Sequence, residues 1–287
     1  MRDHLFAAVS SWIERFDIDG LRLDAADSLD FDFQRGLAAH CKAMKPDFWL
    51  TGEVVHGDYR LWVNPGGLDS TTNYEAYKGL WSSLNDRNYF EIAYTLNREF
   101  GAEGVYRGLP LYNFVDNHDV TRAASVLKEG SHLYPLYALL MTMPGAPSIY
   151  YGSEWGIEGC KIRETDAPLR PALDPIKSAS DAPRRQLSAA IANLIAVRRR
   201  YRALRSGDYR ELYVAHEQFA FMRYAAAEAV VVALNASPCA SEIVVPLPGT
   251  ARARLVDTLN SGRSFDVTRG SAKFWIPPRS ARIMVVS

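Results

Sequence analysis

Residues 19–54 read DGLRLDAADSLDFDFQRGLAAHCKAMKPDFWLTGEV and contain a strand–helix–strand pattern. The segment 19–26 is a short strand-like run and predicts a strand. The segment 31–45 has helical spacing of apolar residues and is followed by Pro46, which ends a helix. The segment 48–54 is short and apolar and predicts a second strand. This order indicates two parallel strands joined by a helical crossover.

The same alternation continues to about residue 204. Residues 56–90 are rich in Gly, Asn, Asp and aromatic residues and predict a long loop region. Together the strands and helices make about five strand–helix units, which indicates the α/β fold class. The further predicted elements are a short strand near 67–72, helical fragments around 75–84, a helix at 91–101, a strand at 111–115, a helix at 131–143, a strand and loop at 144–154, and a helix at 184–204.

From Arg205 onward the pattern changes to short β runs without helices between them. Gly, Pro, Asn and Ser separate these runs, which is typical of antiparallel sheets. We therefore predict an α/β region at 1–204 and an antiparallel β-sandwich domain at 205–287. The runs are YRELYVA, FAFMRYA, AVVVALNAS, EIVVPLP, ARLVDTL, SAKFWIP and ARIMVVS.

Composition and charge exclude several classes of function. The 287-residue chain has 33 basic and 33 acidic residues, so no net field favours nucleic acid or an acidic membrane surface. Its three cysteines are widely spaced, which indicates neither a disulfide framework nor a zinc site. The amino-terminal residues 1–16 have the periodicity of an amphipathic helix and lack a signal-peptide core. We expect a cytoplasmic protein that recognises its partner locally.

Three predicted strands end in carboxylates, namely Asp24, Glu53 and Asp119. One strand–helix unit takes about 30 residues, and the two intervals match about one and two such units. The three acids are therefore expected at the same end of neighbouring parallel strands. That end is where ligands bind in α/β barrels and open parallel sheets.

Each acid also has a purely structural interpretation. An Asp just after a strand is often the N-cap of the next helix, although Asp27, Asp30 and Asp32 are better cap candidates than Asp24. A single Glu53 at a strand end or a single His118 is often structural. It is the combination of three acids that favours an active site.

Five sequence segments resemble the α-amylase family, glycoside hydrolase family 13. The segments GLRLDAAD (20–27), TGEV (51–54) and FVDNHD (114–119) resemble the second, third and fourth signatures of the family, in that order. MPGAPSIYYGSEWG (143–156) is similar to its eighth-strand segment, and LIAVRRRYRAL (194–204) to its last barrel helix. The resemblance spans nearly the whole chain and implies a retaining glycoside hydrolase of α-glucans such as starch, maltodextrins or cyclodextrins.

The resemblance implies a role for each acid. Asp24 would be the nucleophile, Glu53 the general acid/base, and Asp119 the residue that stabilises the transition state. Arg22 lies two residues before Asp24, on the same strand face, and would keep that carboxylate ionised. A retaining glycosidase needs one carboxylate that attacks and one carboxylic acid that protonates the leaving oxygen, about 5–5.5 Å apart.

The resemblance also implies a set of substrate-binding residues and no cofactor. His118 would donate a hydrogen bond to the sugar that is cleaved. Aromatic side chains in the loops are candidates for stacking on glucose rings, although each is individually more often a packing residue. The candidate substrate-binding residues are Arg22, His56, Tyr74, Asn117, His118 and Arg122, and the further aromatic candidates are Tyr59, Trp62, Tyr77, Tyr151 and Trp155.

Two local departures from the family pattern bear on specificity. The common α-amylase signature has Lys–His three and four residues after the nucleophile, where this chain has Asp27 and Ser28. The stretch VVHGD (54–58) is nearer to the cyclomaltodextrinase and neopullulanase type. We therefore predict amylase/neopullulanase-like chemistry.

The family's first signature and its inserted domain are not found in the sequence. The matching elements correspond to strands 4–8 of a (β/α)8 TIM barrel, so we predict a partial barrel and a truncated chain. Family calcium sites depend on the inserted domain, so we predict no retained metal site. An open arc of parallel strands has exposed edges, which predicts self-association.

Two alternatives compete with the hydrolase interpretation. The first is a non-catalytic carbohydrate-binding or scaffold remnant of an amylase-family enzyme, because part of the cleavage subsite is absent. The second is a metal site formed by Asp116, His118 and Asp119 in an unrelated hydrolase. The metal hypothesis leaves Asp24 and Glu53 unexplained.

Overall fold

The computed structural model describes residues 1–174, 184–248, 252–260 and 263–287. The chain folds into two compact units. Unit 1 comprises Met1–Tyr74 with Leu109–Tyr112, and unit 2 comprises Glu75–Gly108 with Asn113–Ser287. Within the described residues, no helix is both long and apolar enough to cross a bilayer.

Unit 1 is built around a small parallel sheet. The strand order is β1-β2-β3, and the register pairs Leu23 of β1 with Gly52 of β2. Helices α1 and α2 contact each other, and the Phe6 and Phe33 rings lie 5.8 Å apart between them. The elements are α1 (Arg2–Phe16), β1 (Gly20–Leu23), α2 (Phe31–Met44), β2 (Trp49–Gly52) and β3 (Ser70–Thr71).

The strand–helix–strand pattern of 19–54 is confirmed, with shorter strands than predicted. Helix α2 begins after Asp30, whose side chain accepts a hydrogen bond from the Phe33 N–H and so caps the helix. Strand β1 ends at Leu23 because Ala25 adopts a left-handed conformation with φ 41°. This turn leaves Asp24 directly at the end of the strand.

Unit 2 begins with helices and very short strands. Strands β4 and β5 have two residues each and pair with each other, and the Ser148 N–H donates to the Asn113 C=O at 2.8 Å. The predicted helix 184–204 is interrupted at Tyr201, whose φ and ψ of −106° and 119° are extended. The first residues of α3 and β4 belong to unit 1. The elements are α3 (Tyr74–Asn85), α4 (Phe90–Phe100), β4 (Tyr112–Asn113), α5 (Ala123–Val126), α6 (Leu133–Thr142), β5 (Ala146–Pro147), α7 (Arg185–Arg200) and α8 (Arg202–Ser206).

The remainder of unit 2 is a single antiparallel sheet of eight strands. Its order is β6-β7-β8-β13-β10-β11-β12-β9, and the end strands β6 and β9 contact each other. The predicted antiparallel character is confirmed, and the arrangement of this sheet as a sandwich stays a prediction. The strands are β6 (Asp208–Val214), β7 (Gln218–Ala225), β8 (Glu228–Asn235), β9 (Ser241–Pro246), β10 (Arg252–Asp257), β11 (Ser264–Thr268), β12 (Ser271–Ile276) and β13 (Ser280–Val286).

Two buried arginines tie helix α6 to later elements of unit 2. The Arg198 guanidinium donates to the Met141 carbonyl at 2.8 Å, and the Arg223 guanidinium donates to the Thr142 carbonyl at 2.7 Å. Arg198 belongs to α7 and Arg223 to β7. The last carbonyls of a helix carry partial negative charge, so these cations cap α6 favourably.

The predicted boundary between 204 and 205 stays a prediction.

Candidate active site

Asp24 and Glu53 occupy matching positions at the ends of neighbouring parallel strands. The last paired residues are Leu23 and Gly52, and each acid is the next residue of its strand. The Glu53 N–H donates to the Leu23 C=O at 2.8 Å, which continues the ladder to this point. Neighbouring strands lie about 4.8 Å apart, so the register places the two acids side by side in unit 1.

The Arg22 guanidinium pairs with both acids. Its Nη1 donates to Asp24 Oδ1, and its Nη2 lies 3.0 Å from Glu53 Oε2. The same Glu53 oxygen accepts a hydrogen bond from the Ala25 N–H at 3.2 Å. One cation and one backbone amide therefore fix the two carboxylates relative to each other.

The two carboxylates differ in their access to solvent. The Asp24 side chain is 77% exposed, whereas the Glu53 side chain is 13% exposed. An open carboxylate can reach a substrate carbon, and a shielded one suits the exchange of a proton with a bound oxygen. This pair offers the two chemical functions that a retaining glycosidase requires.

The remaining unit 1 candidates differ in exposure. His56 is exposed and Tyr74 is half-buried. Tyr59 is fully buried, and Trp62 is buried with its ring 6.0 Å from that of Phe31. Tyr59 and Trp62 are therefore packing residues here, whereas His56 and Tyr74 have surface available for a ligand.

In unit 2, Asp116 is a buried structural carboxylate. Its Oδ2 accepts hydrogen bonds from the Ala123 N–H and from Ser153 Oγ, both at 2.8 Å. It thereby holds the first turn of α5 and the loop after β5. Burial raises the pKa of the Asp116 carboxyl, and the two hydrogen bonds oppose this effect only in part.

Two substitutions of Asp116 distinguish the contribution of its hydrogen bonds to stability from the contribution of its charge. Asp116→Asn keeps an acceptor oxygen and should change the free energy of unfolding by no more than about 1 kcal/mol. Asp116→Ala leaves the Ala123 N–H and the Ser153 hydroxyl without their acceptor and should lower the free energy of unfolding by about 2–4 kcal/mol. Because folding raises the pKa, the stability of the wild type relative to Asp116→Asn should fall as pH rises from the ordinary carboxyl range through the raised pKa. Urea denaturation of both proteins across this pH range measures the difference, and a relative gain by the wild type would contradict it.

Asp119 lies in a cluster of polar side chains in unit 2. Its Oδ2 is 3.0 Å from His118 Nε2, and its Oδ1 accepts a hydrogen bond from Arg170 Nη2 at 2.9 Å. Arg170 also pairs with Asp166 at 3.1 Å, and the Asn117 Oδ1 accepts from the Asp119 N–H at 2.8 Å. The Asp119 carboxylate is thus oriented by a cation, an imidazole and its own backbone turn.

Arg122 is fully buried. Its guanidinium donates to the carbonyls of Tyr151 and Leu169 at 2.6 and 2.7 Å and to Ser153 Oγ at 3.1 Å. It also stacks over the Tyr150 ring at 4.1 Å. This side chain has no exposed surface for a sugar, so burial does not favour the predicted direct contact of Arg122 with substrate, which stays a prediction.

The aromatic side chains of unit 2 differ in their surroundings. The Tyr150 ring lies 6.4 Å from the His118 ring, and burial raises the pKa of the Tyr150 hydroxyl to about 12. Tyr151 is exposed and donates to the Pro171 C=O at 2.9 Å. Tyr77 stacks on Phe114 at 5.0 Å and is a packing residue, and Trp155 is half-buried.

The sequence reasoning missed Arg170 and Tyr150. Arg170 lies about fifty residues after Asp119, in a stretch without helix or strand periodicity. Tyr150 was visible only as one of two adjacent tyrosines in the segment 143–156. Nothing in the local pattern distinguishes either residue from an ordinary loop residue.

The proposed metal site at Asp116, His118 and Asp119 is not supported. Across the described residues, no group of three or more His, Cys, Asp or Glu side chains is arranged to hold a metal ion. Asp116 is engaged by two protein donors, and both oxygens of Asp119 are paired with protein groups.

Two neighbouring carboxylates at the ends of adjacent parallel strands fit the two-carboxylate chemistry of glycoside hydrolases. Comparison with known proteins agrees with this class. The family model "Alpha amylase, catalytic domain" matches residues 1–190. The chain is 30% identical to a cyclomaltodextrinase of Geobacillus thermopakistaniensis, over 97% of this chain and 46% of that protein. It is 27% identical to neopullulanase 2 of Thermoactinomyces vulgaris, over 99% of this chain and 48% of that protein.

Solved structures show the same fold. An α-amylase of Geobacillus thermoleovorans, crystallised with acarbose, matches 100% of this chain and 64% of its own length, with a TM-score of 0.84 and 23% identity. The chain therefore belongs to the α-amylase family, which confirms the resemblance found in the sequence. It spans about half the length of the curated relatives it matches.

Proposed function

We propose that this chain carries the catalytic residues of a retaining hydrolase that acts on α-glucans such as maltodextrins and cyclodextrins. The observation that carries the proposal is the Asp24–Glu53 pair, held by Arg22 at the ends of β1 and β2. The names of the relatives, cyclomaltodextrinase and neopullulanase, support α-glucans as the substrate class.

In the proposed first step, an Asp24 oxygen attacks the anomeric carbon of the sugar. The bond from this carbon to the glycosidic oxygen breaks, and protonated Glu53 gives its proton to the leaving oxygen. The product is a glycosyl ester on Asp24 and a shortened glucan with a free hydroxyl. Arg22 favours this step because its ion pair with Asp24 holds the attacking carboxylate in place.

In the second step, the Glu53 carboxylate takes a proton from a water molecule. The water oxygen attacks the anomeric carbon, the ester bond breaks, and Asp24 leaves as a carboxylate. Two displacements at one carbon restore its original configuration. Glu53 ends protonated, so the enzyme is ready for another cycle.

We assign the stabilisation of the transition state to Asp119, through hydrogen bonds from sugar hydroxyls. The Arg170 guanidinium and the His118 imidazole orient the Asp119 carboxylate. When a sugar hydroxyl donates to this carboxylate, it must either bind beside these two groups or replace one of them. His118, Asn117, His56, Tyr74 and Arg22 are the proposed substrate-binding residues.

We also propose that β1 to β5 correspond to strands 4–8 of a (β/α)8 barrel. The order of the three signatures and the parallel pairing of β1, β2 and β3 support this correspondence. Residues 1–204 would then form the catalytic region and 205–287 the carboxy-terminal β domain.

The stereochemistry of the product tests the proposed function. The purified chain should release the α-anomer from maltoheptaose or β-cyclodextrin, observed by proton NMR before mutarotation, because a double displacement retains configuration. Asp32→Asn is the matched control for Asp24→Asn, a variant of the proposed nucleophile, since Asp32 lies on the exposed surface of α2 and its side chain pairs with Arg35 of the same helix. Release of the β-anomer would contradict the mechanism. Binding of the glucan without turnover would favour the non-catalytic carbohydrate-binding alternative.

A further inference from the structure

Helix α4 exposes two aromatic side chains to solvent. Its opposite face buries Ile92, Ala93 and Leu96, as expected of an amphipathic helix. Phe90, however, is 45% exposed, and Tyr94 is 71% exposed one turn further along. Residues four apart lie on the same helix face, so the two rings form one surface.

Polar groups from the β6–β7 hairpin frame the two rings. The His216 ring lies 5.4 Å from the Phe90 ring at an interplanar angle of 78°. Asn97, one turn after Tyr94 on the same face, donates to Glu211 Oε2 of β6 at 2.5 Å. We call Phe90, Tyr94, Asn97, Glu211 and His216 the aromatic platform.

The aromatic platform is held by backbone contacts as well as by side chains. The Tyr89 N–H, directly before α4, donates to the His216 C=O at 3.0 Å. Helix α4 also packs against β6. A ligand would therefore meet groups that are already positioned, which lowers the entropic cost of binding.

The chemistry of the aromatic platform fits a sugar better than the other classes of partner. A pyranose ring has apolar C–H faces, which pack on aromatic rings, and hydroxyls, which bond to carboxylate, amide and imidazole groups. The surface area that the five side chains of the aromatic platform can offer is small compared with the roughly 800 Å² per partner of a stable protein interface. The carboxylate of Glu211 disfavours the phosphates of a nucleic acid.

We propose that the aromatic platform is a second binding site for α-glucan chains, separate from the residues that cleave them. The choice of an α-glucan rests on the proposed function. Phe90 and Tyr94 lie about 6 Å apart along the helix axis, so each ring can carry a different sugar of one chain. Such a site would retain the protein on a polymer and would not alter the cleavage of a short oligosaccharide.

Adsorption to starch granules tests the proposal on the full chain. Phe90→Ala with Tyr94→Ala should weaken adsorption about tenfold or more, because both stacking surfaces are lost. Trp275→Ala is the matched control, because Trp275 is an aromatic residue of β12 that is 54% exposed. The control should adsorb like the wild type. Hydrolysis of maltotriose should be unchanged in the double variant.

The design separates this proposal from the proposed function. If the chain has no hydrolytic activity, the difference in adsorption between the double variant and the control still decides the role of the platform. Equal adsorption by the double variant and the wild type overturns it, as does equal loss in the Trp275→Ala control. A change in sedimentation from dimer to monomer, with unchanged adsorption, would identify the surface as a contact between two copies and would also overturn it.

A second variant tests the aromatic platform if the double variant does not fold. Circular dichroism checks the fold of the double variant. Tyr94→Ser is the second variant, because this side chain is the more exposed of the two. It should weaken adsorption severalfold, and unchanged adsorption by a folded Tyr94→Ser protein would overturn the proposal.

Discussion

Replacing the proposed nucleophile, Asp24→Asn, should reduce the hydrolysis of maltoheptaose by a factor on the order of 10⁴ or more. An amide oxygen is a far weaker nucleophile than a carboxylate, and the covalent intermediate would not form. The substitution preserves size, and Asp24 lies at the open end of β1, so folding should be unaffected. Initial rates of reducing-sugar release, together with circular dichroism, measure both effects.

A rescue experiment makes this prediction more specific. Asp24→Gly removes the carboxyl group and leaves space for a small anion. Azide should then attack an activated α-glucosyl fluoride directly and give the β-glucosyl azide with release of fluoride, because a single displacement inverts the anomeric carbon. Full activity of Asp24→Asn, or rescue that gives no glucosyl azide, would reject Asp24 as the nucleophile.

Removing the proposed acid, Glu53→Gln, should have an effect that depends on the leaving group. Hydrolysis of maltoheptaose should fall by about 10²–10⁴, because the sugar oxygen leaves only when it is protonated. The first step with α-glucosyl fluoride should be much less affected, because fluoride leaves without this help. Stopped-flow measurement of the fluoride burst isolates that step from the later attack of water.

The control for this substitution is Glu103→Gln, an exposed Glu in the turn after α4. It makes the same chemical change away from the proposed site and should leave both substrates unaffected. If Glu53→Gln slows both substrates equally, Glu53 is not the acid, and its contact with Arg22 would then explain the loss as a structural effect.

The helices were more predictable from the sequence than the strands. The predicted helix 31–45 is found at Phe31–Met44, because its amphipathic spacing agrees with its Asp30 cap and with Pro46. The strand predicted at 111–115 has only two residues, Tyr112 and Asn113. An apolar run shows that a segment is buried, but hydrogen-bonded pairing depends on neighbours that are distant in sequence.

The carboxy-terminal sheet shows the same limit. Strand β11 (Ser264–Thr268) was missed, because its sequence SFDVT is short and half polar and resembles a turn. Alternating patterns predicted an antiparallel sheet, but a pattern does not say whether strands form one sheet or two. That choice depends on the pairing of β8 with β13 and of β13 with β10, which joins the strands into one sheet.

Within the candidate site, the sequence predicted residues whose positions follow from strand ends. The adjacent positions of Asp24 and Glu53 follow from the register of two predicted strands. The contact between Arg170 and Asp119 depends on the path of a loop and was not predictable. The burial of Arg122 was not predictable either, because arginine side chains in loops are mostly exposed to solvent.

Strand β1, which ends at the proposed nucleophile, is the outermost strand of the described three-stranded sheet. The carbonyls of Asp19 and Leu23 accept hydrogen bonds from the Trp49 and Glu53 N–H groups. In a parallel ladder the alternate residues, Gly20 and Arg22, turn their amides to the opposite edge. Whatever chain or solvent occupies that edge sets how stiffly the end of β1 is held, so the precision of nucleophilic attack would depend on a backbone contact at the edge of the sheet.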